Sequence, residues 1–484
     1  MADYIHRRHF CGLMLGTVTA GFCPTCLAQA LSPHQEKQLG MQEHPKIIAE
    51  HGGVYDDPKV GGYFALIASR LVRATGRPDI EFRFTLLNSA QVNAFALPGG
   101  FVYITRGLVA LANNEAEIAG VIGHEIGHVV AQHISKRIEH VQRAEREAQA
   151  AGLIGAIMGV PGVGQAALGT AQRRLAGFSQ EQEHEADVLG VRYIAQAGYN
   201  PDGLASFLGN LRAHSQLRAV MAERPTGSVD SHDMLSSHPR TVDRVRRSIQ
   251  LAKIARGGWQ ENYRKAFLRN INGMVFGDDP AQGIVQGQVF SHKGLRLTFR
   301  VPKGFHLENR QSEVVAAGPQ GGSIKFDMAS KLFHGTMRSY LVNVWAQKAQ
   351  LRDVEAIRIN GMDAATGWIQ ARLQRGNMTL RLVTIRYDRK HIYRFLFFAP
   401  GRSMGQLSRG LRDTTYSFRR LTASEAGTLR PLHIRVVKLE AIHSITTLAR
   451  RMAVSSHKEH WFRVLNNARR QRTIPAGSEV KLVV

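Results

Sequence analysis

The sequence predicts an α+β protein of more than one domain, and three observations carry that prediction. Apolar residues recur at helical spacing over residues 35–75 and again from about 114 to 215. Between these stretches, "FRFTLLNSAQVNAFALPGGFVYITRGLVAL" alternates like strands around a Pro-Gly-Gly turn. After about residue 270 the pattern becomes one of antiparallel strands. A chain of 484 residues is too long for one core, and with 44% hydrophobic and 21% charged residues it has globular composition.

Taken in order, the first 30 residues carry a basic pair, a short apolar run and a terminal Ala-Gln-Ala. They read as a secretory signal peptide cleaved near Ala30. The "RRHF" within it resembles a twin-arginine export signal. Cys11, Cys23 and Cys26 all lie in this segment, so the expected mature chain has neither disulfides nor cysteine metal ligands. Export sets the expected compartment as periplasmic.

Residues 31–270 form the first expected domain, mainly helical with a small sheet. Within it, "AGLIGAIMGVPGVGQAALGTA" (151–171) is broken by Pro161, which argues against a membrane-spanning helix. Residues 271–425 form an antiparallel α+β domain, with strands such as "LRLTFRVPKGF", "SIKFDMAS", "MTLRLVTIRYD" and "IYRFLFFAP" and helical insertions near 334–350 and 403–415. Residues 430–484 read strand, helix, helix, strand.

The formal net charge is +25. Such a charge invites anionic partners, and for an exported chain these are anionic membrane surface or cell-wall polymer rather than nucleic acid. The basic residues are spread along the whole chain, so a generally solubilising surface is the alternative.

The chemistry is concentrated in "GVIGHEIGHVVAQH", residues 120–133. On a helix, positions i and i+4 share a face, so His124 and His128 can direct their imidazoles at one point with Glu125 beside them. Val121, Ile122, Ile126, Val129 and Val130 would bury that helix, and buried polar side chains must find partners. One Zn²⁺ satisfies both histidines. A catalytic zinc keeps three protein ligands and an exchangeable water, so a third ligand is needed elsewhere. His133, nine positions after His124, falls at no ligand spacing; it is read, like His140, as a helix-surface or core-satisfied histidine.

The third ligand is sought in "SQEQEHEADVLG", residues 179–190, where Glu183 and Asp187 are four apart on one helical face. One carboxylate can complete the metal site while the other accepts the N–H of a ligating histidine.

H-E-x-x-H on one helix and E-x-x-A-D on the next resemble the gluzincin metallopeptidases, the family containing the CAAX prenyl protease, HtpX and BepA. "VNAFALPGGFVYITRGLV" (92–109) is similar to that family's N-A-F-A-x-P-G-G element, and "SSHPRTVDRV" (236–245) to its H-P-x-x-x-x-R segment. The resemblance implies a zincin-type fold for the first domain. It makes Glu183 the third zinc ligand and Asp187 its supporting carboxylate, and Glu125 the general base. Asn93, Ala94, Phe95 and Ala96 become a strand that binds extended substrate. His238 acquires one of two roles, oxyanion stabilisation or capping of the zinc, and Arg244 orders the same loop. The tail resembles a LysM module, a βααβ fold, although "EAIHS" replaces its usual turn; glycan binding and a docking or stabilising role both stay open.

The expected function is therefore an exported zinc metalloendopeptidase acting on envelope proteins in extended conformation. Two alternatives stand beside it: a non-enzymatic envelope assembly or cell-wall-binding factor with a structural metal, and a hydrolase of peptidoglycan peptides.

Overall fold

The computed structural model describes residues 31–139, 178–221, 247, 250, 261–373 and 376–484. The expected signal peptide with its cysteines, the 151–171 stretch, His140, and the 236–245 segment with His238 and Arg244 lie outside the described residues.

The chain divides into two compact units. The first comprises the described residues up to Gly277 together with Leu432–Val484. It opens with α1 (Pro33–Glu50), started by a reciprocal cap between Ser32 and Gln35. Helix α2 (Pro58–Thr75) follows, capped by the Asp57 carboxylate accepting from the amides of Lys59 and Val60. Strands β1 (Arg83–Leu87), β2 (Ala94–Leu97) and β3 (Phe101–Thr105) form a sheet in the order β1-β3-β2, with β1 parallel and β2 antiparallel to β3. The turn between β2 and β3 requires its glycines. Gly99 and Gly100 have φ of 78° and 90°, and a Cβ on Gly99 would stand 2.5 Å from Lys37 Cα of α1.

Then come α3 (Arg106–Leu111), α4 (Glu115–Val130), α5 (Gln180–Gln196), α6 (Asp202–Met221), α7 (Arg264–Ile271) and the short β4 (Val275–Phe276). The expected helical run starting near residue 114 is interrupted: α4 ends at Val130, and Gln132 adopts a left-handed φ of 55° before residues 133–139 turn helical again.

The second unit, Asp278–Pro431, is the antiparallel β-rich part. Strands β5 (Ile284–Gln286), β6 (Val289–His292) and β7 (Leu297–Arg300) precede β8 (His306–Arg310), β9 (Glu313–Ala317) and β10 (Ser323–Met328). After the single turn α8 (Met337–Tyr340) come β11 (Arg352–Ile359), β12 (Met362–Leu373), β13 (Gly376–Arg386) and β14 (Ile392–Pro400). Helix α9 (Gly401–Ser417), β15 (Arg419–Arg420) and α10 (Ala423–Thr428) close the unit. A seven-stranded sheet runs β11-β12-β13-β14-β10-β9-β8 and a four-stranded one β15-β7-β6-β5. Phe299, Phe326, Phe395, Phe397 and Phe418 fill the core of this unit; Phe395 and Phe397, two apart on β14, face the same side of the sheet.

The remaining residues return to the first unit as β16 (Leu432–Lys438), β17 (His443–Ser444), α11 (Ile445–Arg450), α12 (Lys458–Leu465), β18 (Thr473–Ile474) and β19 (Glu479–Val483). Strand β16 pairs antiparallel with both β19 and β4. One hydrophobic core joins this stretch to the helices: Ile122 and Ile126 of α4, Phe207 and Leu211 of α6, Phe267 of α7, and Phe462, Leu465 and Leu482 of the tail are members of it. The sequence treats 430–484 as a module of its own; in the fold it shares a core with the helices that carry the histidines. Among the described residues no helix is long and apolar enough to cross a membrane.

Candidate metal centre

Helix α4 is buried along almost its whole length, and the polar side chains at its start are held by named partners. Asn114 caps it by accepting from Glu117 N. In the first turn, Glu115 accepts from Tyr63 and Tyr199 hydroxyls and from Arg70, and Glu117 accepts from Ser206 Oγ at 2.6 Å and Asn113 N at 2.8 Å. Two carboxylates at the positive end of a helix are electrostatically favoured. Burial nonetheless pushes the Glu117 pKa above the usual carboxylate range.

Glycines bring the next helix close. A Cβ on Gly123 would lie 3.1 Å from Gly190 O, one on Gly127 2.9 Å from Ala186 O, and one on Gly190 2.9 Å from His124 N. With only hydrogens at these positions, α4 and α5 approach backbone to backbone, and short carboxylate side chains from α5 reach the α4 histidines. Helix α5 begins with a second reciprocal cap, Ser179 with Gln182, which sets Glu183 in its first turn and Asp187 one turn later.

The result is a buried convergence. His124, His128 and Glu183 offer ligand atoms all within 4.8 Å of one another. The two Nε2 atoms are 3.1 Å apart, His128 Nε2 is 3.5 Å from Glu183 Oε1, and His124 Nε2 is 3.7 Å from Glu183 Oε2. Tetrahedral Zn²⁺ with bonds of about 2.0–2.1 Å separates its ligand atoms by roughly 3.3–3.4 Å, so this donor set fits the ion. Two imidazoles and one carboxylate, leaving a fourth position, are the chemistry of a catalytic rather than a closed structural zinc. On the other side of the His124 ring, Nδ1 is 3.0 Å from Asp187 Oδ1. Glu125 is buried in the same helix, next to His124.

Strand β2, which holds Ala94, Phe95 and Ala96, is an edge of its sheet and packs against α4. Asn93 precedes it, its backbone tied to Thr105 by N–H donation to Oγ1 at 3.0 Å and by accepting from Thr105 N at 3.0 Å. The Asn93 Oδ1 atom is buried and accepts no hydrogen bond among the described residues.

Sequence reasoning did not find the partners of His133. Its Nδ1 is 3.0 Å from His128 Nδ1 and its Nε2 3.1 Å from Glu185 Oε2. Burial lowers the His133 pKa, opposed by the Glu185 carboxylate. A helix continued past Val130 would have turned His133 roughly 140° from His128 at 100° per residue; the left-handed Gln132 brings it back. The "EHE" at 183–185 was the available signal.

Comparison with known proteins follows this geometry. Residues 59–250 match the model of Peptidase family M48. The "Beta-barrel assembly-enhancing protease" of Yersinia pestis is 32% identical over 228 residues, 46% of this chain and 44% of that protein. The same-named protein of Escherichia coli (strain K12) is 30% identical over 235 residues, 47% of this chain and 46% of that one. The "Metalloprotease LoiP" of Escherichia coli (strain K12) is 32% identical over 157 residues, covering 32% of this chain and 56% of that one. The chain thus spans about half the length of the curated relatives it matches. His124, His128 and Glu183 all lie within the segment that matches Peptidase family M48.

Proposed function

We propose that this chain is a zinc-dependent endopeptidase of the cell envelope that hydrolyses peptide bonds of proteins bound in extended form. The observation that carries this reading is the buried meeting of His124, His128 and Glu183 within the segment that matches Peptidase family M48. A zinc ion held there would supply a water of lowered pKa and a Lewis acid for the scissile carbonyl.

The roles of the chain's own residues follow. Glu125 accepts the proton of the attacking water on its carboxylate and returns it to the leaving amine. Asp187 Oδ1, 3.0 Å from His124 Nδ1, would accept the Nδ1 proton once the site is loaded, leaving Nε2 as the ligand atom and fixing the ring. Strand β2 takes the substrate backbone as an added antiparallel strand along its open edge, which gives affinity that depends little on side-chain identity. Asn93, which precedes that strand, is assigned to the same substrate-binding edge on the motif alone. His238 either stabilises the oxyanion or caps the metal, and Arg244 orders its loop; both assignments rest on the motif alone.

The wider proposal keeps a cleaved signal at 1–30, the peptidase domain at 31–270, an α+β domain at 271–425 and a LysM-like module at 430–484. The antiparallel pairing of β16 with β19 around α11 and α12 supports the βααβ assignment of the tail. Periplasmic location rests on the signal, and protein substrates of the envelope on the relatives' names. Peptidoglycan or anionic membrane surface is the further partner class the positive charge suggests.

The test is zinc analysis and casein cleavage by the mature chain, with and without chelator, beside Glu125→Gln. One zinc per chain, loss of cleavage with chelator, and a fall of at least about 100-fold in Glu125→Gln with zinc retained are expected. Unchanged cleavage by Glu125→Gln sinks the assignment of the base. Release of muropeptides from purified sacculi would favour the peptidoglycan alternative.

A further inference from the structure

We propose that His133 is a positioning residue for the metal ligand His128, acting as the middle member of a Glu185–His133–His128 chain. The inference rests on the zinc reading above and deepens it.

The proton arrangement follows from the donor and acceptor chemistry of each group. His128 faces His124 Nε2 and Glu183 Oε1 through its own Nε2, so Nε2 is the atom that must carry a lone pair toward the ion. Its proton then sits on Nδ1, which meets His133 Nδ1 at 3.0 Å. For that contact to be a hydrogen bond, His133 Nδ1 must accept, which places the His133 proton on Nε2. Nε2 in turn donates to Glu185 Oε2 at 3.1 Å, a carboxylate that can only accept. With both rings neutral, a single tautomer satisfies all three groups, and it is the one that presents His128 Nε2 as a ligand.

The two ligand imidazoles are therefore supported differently. His124 meets a buried carboxylate, Asp187, directly. His128 meets a neutral imidazole, and the carboxylate beyond it, Glu185, is 56% exposed. Charge on the His128 arm is held one ring away from the metal and in contact with solvent. Phe178 stacks on the His128 ring, with centroids 4.0 Å apart and planes 30° from parallel, and restricts its rotation. Left-handed Gln132 makes the chain of contacts geometrically available by folding His133 back under α4.

The test compares zinc affinity of the full mature chain, by chelator competition, in the parent, His133→Leu, His133→Asn and Glu185→Ala, with the visible spectrum of each cobalt-substituted protein. His133→Leu should weaken zinc binding by about 10–100-fold and shift the cobalt bands. His133→Asn, whose carbonyl oxygen can occupy the place of Nδ1, should recover affinity to within a few-fold of the parent; a merely structural histidine would show no such rescue. Glu185→Ala, at a solvent-exposed position that leaves folding intact, should lose about threefold to tenfold. Parental affinity and an unshifted cobalt spectrum in folded His133→Leu overturn the inference. If His133→Leu does not fold, parental affinity in Glu185→Ala overturns it. A parent that binds no zinc sinks the metal reading, and this inference with it, and is thereby distinguished from failure of the inference alone.

Discussion

Gly190→Ala tests whether the metal site exists because two helices touch. A Cβ at this position would stand 2.9 Å from His124 N and 3.1 Å from both Gly123 C and His124 Cα. Ordinary contact begins at 3.4 Å, and every atom it meets is backbone, so no side chain can swing away. Restoring contact distance requires α4 and α5 to separate by roughly 0.5 Å, more than the ±0.2 Å within which metal–ligand distances fall. Glu183 lies two turns along the same α5, so the displacement reaches the third ligand while both histidines stay on α4. Overpacking costs about 1–3 kcal/mol, and replacing glycine by alanine within a helix returns up to about 1 kcal/mol, leaving a net loss of about 0–3 kcal/mol. Zinc affinity should fall more sharply, by at least about tenfold, as for other changes that displace ligand support. Chelator competition and thermal unfolding of the metal-free protein separate the two effects. Gly62→Ala is the control: a Cβ there meets nothing within 4 Å, so zinc affinity should hold and stability rise by about 0.5–1 kcal/mol. Zinc affinity in Gly190→Ala within twofold of the parent would refute the reasoning.

Three further predictions follow. Asp187→Asn should retain a folded chain but bind zinc about 10–100-fold more weakly, because a carboxamide can turn its donor toward His124 Nδ1; equal affinity by chelator competition would remove Asp187 from the site. Truncation after Pro431 should unfold the first unit rather than remove a detachable module. Fully buried Lys481 donates to the carbonyl oxygens of Ala110 and Ala112 just before α4, Arg264 donates to Glu479 O, and Phe462 and Leu482 lie in the shared core. A truncated chain with parental circular dichroism and zinc content would contradict this. In the second unit, burial lowers the His292 pKa to about 4, and Leu295 N donates to its Nδ1 at 3.1 Å. Its folded value lies below the unfolded 6.5, so the unfolded chain takes up the proton first and the stability contributed by neutral His292 is lost as pH falls from 6.5 to 4. The melting temperature of the parent should therefore drop more over that interval than that of His292→Gln, and parallel declines would disprove it.

Much of this architecture was legible in the residues because its determinants are local. Periodicity marked α2 and α4, alternation marked β2 and β3, and the Pro-Gly-Gly turn announced backbone that only glycine adopts freely. The four-residue spacing of His124 and His128, and of Glu183 and Asp187, places each pair on one helical face whatever the rest of the chain does. The break between Val130 and residue 133 was not legible, since the left-handed turn at Gln132 has no glycine or proline to announce it.

What the sequence by itself determined is the chemistry on offer: two imidazoles and a neighbouring carboxylate on one helix, and two carboxylates on another. Tertiary structure alone decided that these meet. Gly123, Gly127 and Gly190 are unremarkable helix residues until α4 and α5 pack, when their missing side chains set the distance at which Glu183 reaches the histidines. His133, too, becomes a partner of His128 only because the chain reverses between them. Ligand types follow from residue identity, whereas their common point in space depends on contacts between segments far apart in the chain, and periodicity carries no information about those.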